Sequence, residues 1–572
     1  MPINNEQDTL NPLKVTALLA LHQQLKYPKE EGLCHGFSLR WLEAALLGRL
    51  ELERFENRIK YILSTPTDLL IQQINKTLAK NGQNLTSNDY ELIEILAFFD
   101  SLSLYQTPEN YPSLFNNLGY INQEQFEVVS AYASSVEIEK AGGLKEVGLD
   151  LLIATTDEIE IYLHELKQFL DKNLDDYKEP IGFLLSDDEH TVALAYDPVQ
   201  EKFTYRDIKN LEDNLDSPDI AASIDSTDAE ANMDKADLEG SVTGLSNADP
   251  GDESDDFDSN DDIDDIEEDY EKNIAFVTSD IVYSFKKKKN IDSESHYTAF
   301  SIQLIVTGND KRYEMLQERF KQFKLKRPLT KEIASRETET INLSFFAALY
   351  NLGDYIEKLG AWQVNLDKIN GNGFAPAYVA AEFGSCNAIE QLGKFKANLN
   401  FQTEDGLTPA YIASDNGFVE VIKILAKFNA SLNIATKKGI TPIFTAAQHG
   451  HANVVKELIL HKVNVKEPCV VNKVYLQSLI KDKEPMVEEC LTKFLTEQLN
   501  NDKISITPYD IAMIMGHHEV VAVIDEMVTQ KVENKFDSRV ADTRHSLFAS
   551  QPEKRALDEE QQLPEAKLQK KD

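Results

Sequence analysis

The chain has 572 residues, 42% of them apolar and 9% aromatic, enough to bury more than one core, so two to four domains are expected. A net charge of -39 argues against nucleic acid and anionic membrane surfaces as main partners, because both would repel it. Four cysteines without a C-x-x-C pair fit neither a disulfide framework nor a zinc module, and no metal or cofactor is expected.

Met1 to Asp8 carry neither the basic nor the apolar stretch of a cleaved export signal, and no apolar run reaches the roughly 18 residues of a membrane span. Residues 10 to 175 read mostly as helices, among them Leu39 to Leu50 and Ile159 to Leu170, with apolar positions three and four apart. Short apolar or alternating runs then predict strands at Ile181 to Leu185, Thr191 to Tyr196 and Lys202 to Asp207, with Asp197-Pro198 turning the chain between the last two.

Between Leu211 and Tyr270 there are 23 acidic residues against the single Lys235. Such a stretch has too little apolar surface to offset its ordering entropy, and residues 211–270 are expected to be a disordered insertion. Beyond it, Ile274 to Val277, Ile281 to Phe285 and Tyr297 to Val306 predict further strands of the same antiparallel sheet. The N-terminal region, 1–330, is therefore expected to be an α+β domain of helices on an antiparallel sheet, interrupted by the acidic insertion.

From Asn370 the sequence repeats with a 33-residue period. Gly373-Phe374-Ala375-Pro376-Ala377 with Gly384 returns as Gly406-Leu407-Thr408-Pro409-Ala410 with Gly417, and again as Gly439-Ile440-Thr441-Pro442-Ile443 with Gly450. Proline starts a helix without wasting a donor, alanine lets helices approach, and glycine accepts the left-handed turn. The period and motif resemble the ankyrin repeat, and predict an all-α solenoid over 342–530 that holds a partner protein. Thr507-Pro508 and Gly516-His517 lie 66 residues beyond Thr441-Pro442 and Gly450-His451, which predicts a degenerate unit near Lys473 to Thr496. Phe345 to Leu359 reads as a capping unit, and 531–572 as a flexible tail.

Cys34 is the lone cysteine of the N-terminal region and stands where a helix begins. The macrodipole and free N–H groups of a helix start favour a thiolate there. His190 heads one predicted strand and Asp207 ends the next, so adjacent strands, about 4.8 Å apart, would bring them together. Asp197 begins the turn at the far end of the His190 strand, too distant to serve. His296 heads another predicted strand but has no aromatic-Asp strand after it. Pro28 stands six residues before Cys34, where papain-like enzymes carry a glutamine as oxyanion donor, so Gln23 and Gln24 are the nearest candidates, with the Cys34 backbone N–H as a further donor.

The segment Gly32-Leu33-Cys34-His35-Gly36-Phe37-Ser38-Leu39-Arg40-Trp41, the strand His190 to Leu194, and Asp207 after Phe203-Thr204-Tyr205-Arg206 resemble the blocks of the bacterial cysteine proteases typified by YopT and AvrPphB. The resemblance implies a papain-like fold, with Cys34 as nucleophile, His190 as base and Asp207 as its orienting acid. A protease fused to ankyrin repeats is similar to effectors of intracellular bacteria such as Legionella, which implies secretion into a host cell through a type IV system reading a Glu-rich tail, and a host protein as the partner. The same three residues also serve transglutaminases, deamidases and acyltransferases, and an inactive scaffold would keep the repeats alone.

Overall fold

The computed structural model describes residues 18, 21–25, 33–111, 114–115, 121, 123–174, 178–210, 261–285, 297–478 and 503–529. The three-and-four spacing of apolar residues after Leu33 builds four helices, α1 (Cys34–Leu46), α2 (Arg49–Ser64), α3 (Thr67–Leu78) and α4 (Ser87–Gln106). Every residue of α1 from His35 to Leu46 is buried, which makes it the central helix of its layer. Shorter helices α5 (Phe126–Ala133) and α6 (Val136–Lys140) lead to strand β1 (Leu144–Ala154), which lies within the stretch expected to be mostly helical. Helix α7 (Thr156–Leu174) follows, then β2 (Ile181–Ser186), β3 (Thr191–Asp197) and β4 (Lys202–Arg206).

The next described element corrects two sequence expectations. Asp261–Phe285 is one helix, α8, so Ile274 to Val277 and Ile281 to Phe285 are helical and not strands, and the helix begins within 211–270. Helical spacing explains the difference: Ile263, Ile266, Tyr270, Ile274, Val277, Ile281 and Phe285 recur three and four apart. Residues 211–260, the rest of the expected insertion, lie outside the described residues. Strand β5 (Thr298–Thr307) and helix α9 (Tyr313–Leu325) complete this region.

The five strands form one antiparallel sheet in the order β1-β5-β2-β3-β4, so the α+β expectation holds. Both faces are covered. Leu184, Ala193 and Ala195 pack toward the layer of α1 to α6, while Phe183, Leu185, Val192 and Leu194 pack toward α7, α8 and α9. That is why β2 reads as a continuous apolar run instead of an alternating one. Gly182 in β2 admits α1, because a side chain there would collide with Leu42, whose Cδ1 would lie 2.5 Å from the added Cβ.

The chain divides into two compact units, Met1–Pro442 and Ile443–Asp572. In the first, helix α10 (Lys331–Ala334) precedes helical pairs α11 (Leu343–Leu349) with α12 (Gly353–Ala361), α13 (Pro376–Glu382) with α14 (Cys386–Lys394), and α15 (Pro409–Asp415) with α16 (Val419–Lys427). Successive pairs stack, α11 on α13 on α15 and α12 on α14 on α16, as a solenoid requires. The expected capping unit is the α11–α12 pair.

Helix α17 (Pro442–Gln448) leads into the second unit, which holds α18 (Ala452–Leu460), β6 (Cys469–Asn472), α19 (Lys473–Ser478), β7 (Lys503–Ile506), α20 (Pro508–Ile514) and α21 (His518–Thr529). Here the stack departs from expectation. α18 packs directly on α21, and His517 Nε2 reaches Gln448 O at 2.8 Å. In the first unit Gly384 faces Phe418 of the following repeat; Gly450 faces His517 in the same way, although His517 is a whole extra period further along the chain. Among the described residues no unit intervenes in the stack between α18 and α21, and on either side of 479–502 strand β6 pairs antiparallel with β7. Residues 479–496 of the expected degenerate repeat, and the expected tail 531–572, lie outside the described residues.

Candidate active site

Helix α1 and the β3–β4 hairpin bring the three singled-out residues together. Cys34 is the first residue of α1, where unsatisfied N–H groups and the helix dipole favour an anion. The close fit of that helix start depends on Gly36. A Cβ there would lie 2.2 Å from Leu102 O of α4, and the Gly36 N–H donates to Gln106 Oε1 at 3.1 Å. Ser38 Oγ donates to Thr191 O at 3.1 Å, which ties α1 to the start of β3.

His190 sits one residue before β3, at the end of a tight turn. Asp187 Oδ1 accepts from Glu189 N at 2.8 Å and from His190 N at 2.7 Å, and Asp187 N donates to His190 O at 3.0 Å. The pairing of Ala193 with Arg206 places Asp207, the next residue, across from that turn. Arg206 is itself buried and bonded to Glu56, which also accepts from Trp41 Nε1 at 3.1 Å, so the end of β4 is anchored to α1 and α2.

His190 Nε2 lies 2.9 Å from Asp207 Oδ1, and both side chains are buried, while Cys34 is half-buried. Asp207 Oδ1 also accepts from Lys209 N at 2.8 Å, and its Oδ2 accepts from Ser284 Oγ at 2.5 Å. A carboxylate receiving three donors is ionised, so Nε2 is the protonated nitrogen and Nδ1 remains for the sulfur. Nδ1 is buried and has no hydrogen-bond partner within bonding geometry among the described residues, and Cys34 and His190 are near enough for each to act on the other's charge.

The electrostatics agree with an ion pair. Burial alone would raise the Cys34 thiol, but the neighbouring His190 and its charge, the Thr191 backbone N–H and the Lys209 charge outweigh it and hold the thiol below its usual range. Burial would likewise depress His190, and its bond to Asp207 and the nearby Cys34 reverse that, raising the ring to about 9. Burial would raise Asp207, yet His190, Ser284 and the Lys209 N–H keep it below the ordinary carboxylate value.

The other sequence candidates fall elsewhere. Asp197 is at the far end of β3, where its Oδ1 accepts from Val199 N at 2.8 Å and Gln200 N at 3.3 Å and caps the turn. His296 lies outside the described residues. Gln23 and Gln24 are exposed, and Gln106 is the glutamine that meets the start of α1. His35 is buried against Gln123 O at 3.1 Å; burial lowers it to about 4, so it stays neutral. Cys386 is half-buried and Cys469 buried, and Cys490 lies outside the described residues.

Two features escaped the sequence reading. Ser284 belongs to a segment expected to be a strand, and the Thr191 N–H is a backbone group with no sequence signal. A cavity of about 640 Å³ runs along β4 between Trp41, Glu56, Phe203, Arg206 and Val277, but none of Cys34, His190 and Asp207 lines it. Among the described residues no helix is long and apolar enough to cross a membrane.

The family described as ankyrin repeats (3 copies) matches residues 367–468. No curated protein matches the chain. Ankyrin repeats imply a protein partner, and this match agrees with the 33-residue period and the stacked helical pairs.

Proposed function

We propose that the chain is a papain-like cysteine protease that cleaves a polypeptide held by its ankyrin repeats. One observation carries the reading: at the start of a buried helix a thiol held below its usual range meets a histidine that is itself fixed by a buried carboxylate. Cys34 attacks the acyl carbonyl as a thiolate, and the His190 imidazolium gives its proton to the departing amine. His190, now neutral, takes a proton from water, whose oxygen attacks the thioester; the acid product leaves and Cys34 returns as thiolate with His190 recharged. Asp207 keeps the ring oriented throughout. The Cys34 backbone N–H and the Gln106 amide, both at the α1 start, are the candidates to hold the developing oxyanion.

The Glu-rich sequence from Ala556 to Ala566 and the pairing of this site with repeats support the further reading that the protein is a secreted effector acting on a host protein. The test compares wild type and Cys34→Ala incubated with host-cell lysate, reading new protein N-termini by mass. New termini that require Cys34 support proteolysis. Mass changes that require Cys34 without new termini would move the reaction to transfer or deamidation, and identical spectra would reduce the chain to a scaffold.

A further inference from the structure

The carboxylate that orients His190 is itself held from α8, the helix on the far side of the acidic stretch. Tyr205 OH donates to Ser284 Oγ at 2.6 Å, Ser284 Oγ donates to Asp207 Oδ2 at 2.5 Å, and His190 Nε2 donates to Asp207 Oδ1 at 2.9 Å. Each hydroxyl has one proton, and each proton here points toward the carboxylate, so the chain of bonds has a single direction. Without Ser284 the Oδ2 oxygen would lose its one described side-chain donor, and the carboxylate would be held at Oδ1 alone, by His190 Nε2 and Lys209 N. The neighbour of Ser284 contributes as well: Phe285 lies 6.2 Å from the His190 ring, centroid to centroid, and stacks on Phe300 at 5.3 Å. One turn of α8 thus borders both the base and its orienting acid.

We propose that Ser284 is a positioning residue of this site, acting through Asp207 with Tyr205 as its own anchor, so that the site is incomplete without helix α8. The inference rests on the proposed Cys34–His190–Asp207 triad. It assigns to α8 a role in the chemistry in addition to its burial of Ile274, Val277 and Ile281 against the sheet. The hydroxyl acts because it is a donor to an ionised oxygen, and such bonds are stronger than neutral ones. Asp280 and Lys209, which also act on Tyr205 and on Cys34 respectively, are left in place by every variant below.

The test is the rate of iodoacetamide labelling of Cys34 as a function of pH in the full chain, with melting temperature measured alongside. Ser284→Ala is expected to move the midpoint of the profile upward by about one unit and to slow labelling at pH 6 by up to about tenfold. Ser284→Thr, which keeps the hydroxyl, is expected to restore the profile. Tyr205→Phe, expected to give a shift in the same direction but smaller, provides the reading should Ser284→Ala fold poorly. A Ser284→Ala profile that overlays wild type while Asp207→Ala shifts it would overturn the inference and leave the triad standing. Profiles unchanged by Ser284→Ala, Asp207→Ala and His190→Ala alike would overturn both. A Ser284→Thr profile as displaced as that of Ser284→Ala would show that packing alone, not the donor, is at work.

Discussion

A thiol and an imidazole that are charged together are useful only over a limited pH range, and their surroundings set its limits. Cys34 is held below its ordinary range and His190 is raised to about 9, so the thiolate–imidazolium pair exists above the depressed thiol value and below about 9. The sign is fixed by the two directions: acid removes the thiolate and base removes the imidazolium proton. Alkylation of Cys34 reads only the first limit and is expected to stay flat as pH rises through 9. Peptide hydrolysis needs the proton that His190 delivers, so its rate is expected to fall across the same pH. A hydrolytic profile with no basic limb near 9, or one that His190→Ala leaves unaltered, would exclude His190 as the acid. Cys34, His190 and Asp207 were legible in the sequence because each stands at the end of a recognisable element. Ser284 was not, since its role depends on which element carries it.

Element identity was decided by spacing, and the misread segment shows how. Ile274 to Phe285 contain two short apolar clusters that resemble strands when taken separately, yet the buried Ile274, Val277, Ile281 and Phe285 fit one helical stripe facing β4 and β5. β1 was missed for a related reason: Leu149, Leu151, Leu152 and Ile153 form a dense apolar run without the alternation of a one-sided strand. α8 also completes the sheet edge. Asn273 Oδ1 accepts from Phe203 N at 3.1 Å, and Asn273 Nδ2 donates to Phe203 O at 3.1 Å, so one side chain pairs with β4 as a neighbouring strand would. Asn273→Ala is expected to cost about 1–3 kcal/mol by leaving both backbone groups unpaired. Thermal unfolding would show this as a drop of several degrees or less, whereas Asn273→Asp, which keeps the acceptor, should lose less. An unchanged midpoint for Asn273→Ala would mean that water satisfies the edge and that α8 is held by its apolar stripe alone.

At the scale of the whole chain the sequence conveyed the repeats well, because a fixed period of 33 residues is visible without any knowledge of contacts. What it could not convey is how the first repeats meet the α+β layers within the unit that ends at Pro442. Arg336, between α10 and α11, bonds to Glu158 of α7 at 2.8 and 2.9 Å and to Ile153 O at 3.2 Å, so the connecting segment is fastened to the sheet. Tyr350 OH lies 2.8 Å from Ser301 Oγ of β5, and that Oγ donates to Ser186 O at the end of β2. Most telling is the turn that ends at His190. Asp188 Oδ2 accepts from Gly371 N at 3.1 Å, and Asp188 O accepts from Asn372 Nδ2 at 3.1 Å, both from the loop that opens the first matched repeat. A loop of the repeats and the base of the proposed triad therefore share one short turn, and a change at the loop has a covalent path of two residues to His190. Asn372→Ala is expected to raise amide hydrogen exchange at Asp188 to His190 and to slow Cys34 alkylation a few-fold, because one bond holding the turn, about 0.5–1.5 kcal/mol, is removed. The same substitution should leave exchange in α14 and α16 as in wild type, since neither helix touches that turn. If exchange at Asp188 to His190 and labelling of Cys34 both stay at wild-type levels, the repeats only adjoin the site, and a partner they hold is brought near the thiol without altering it.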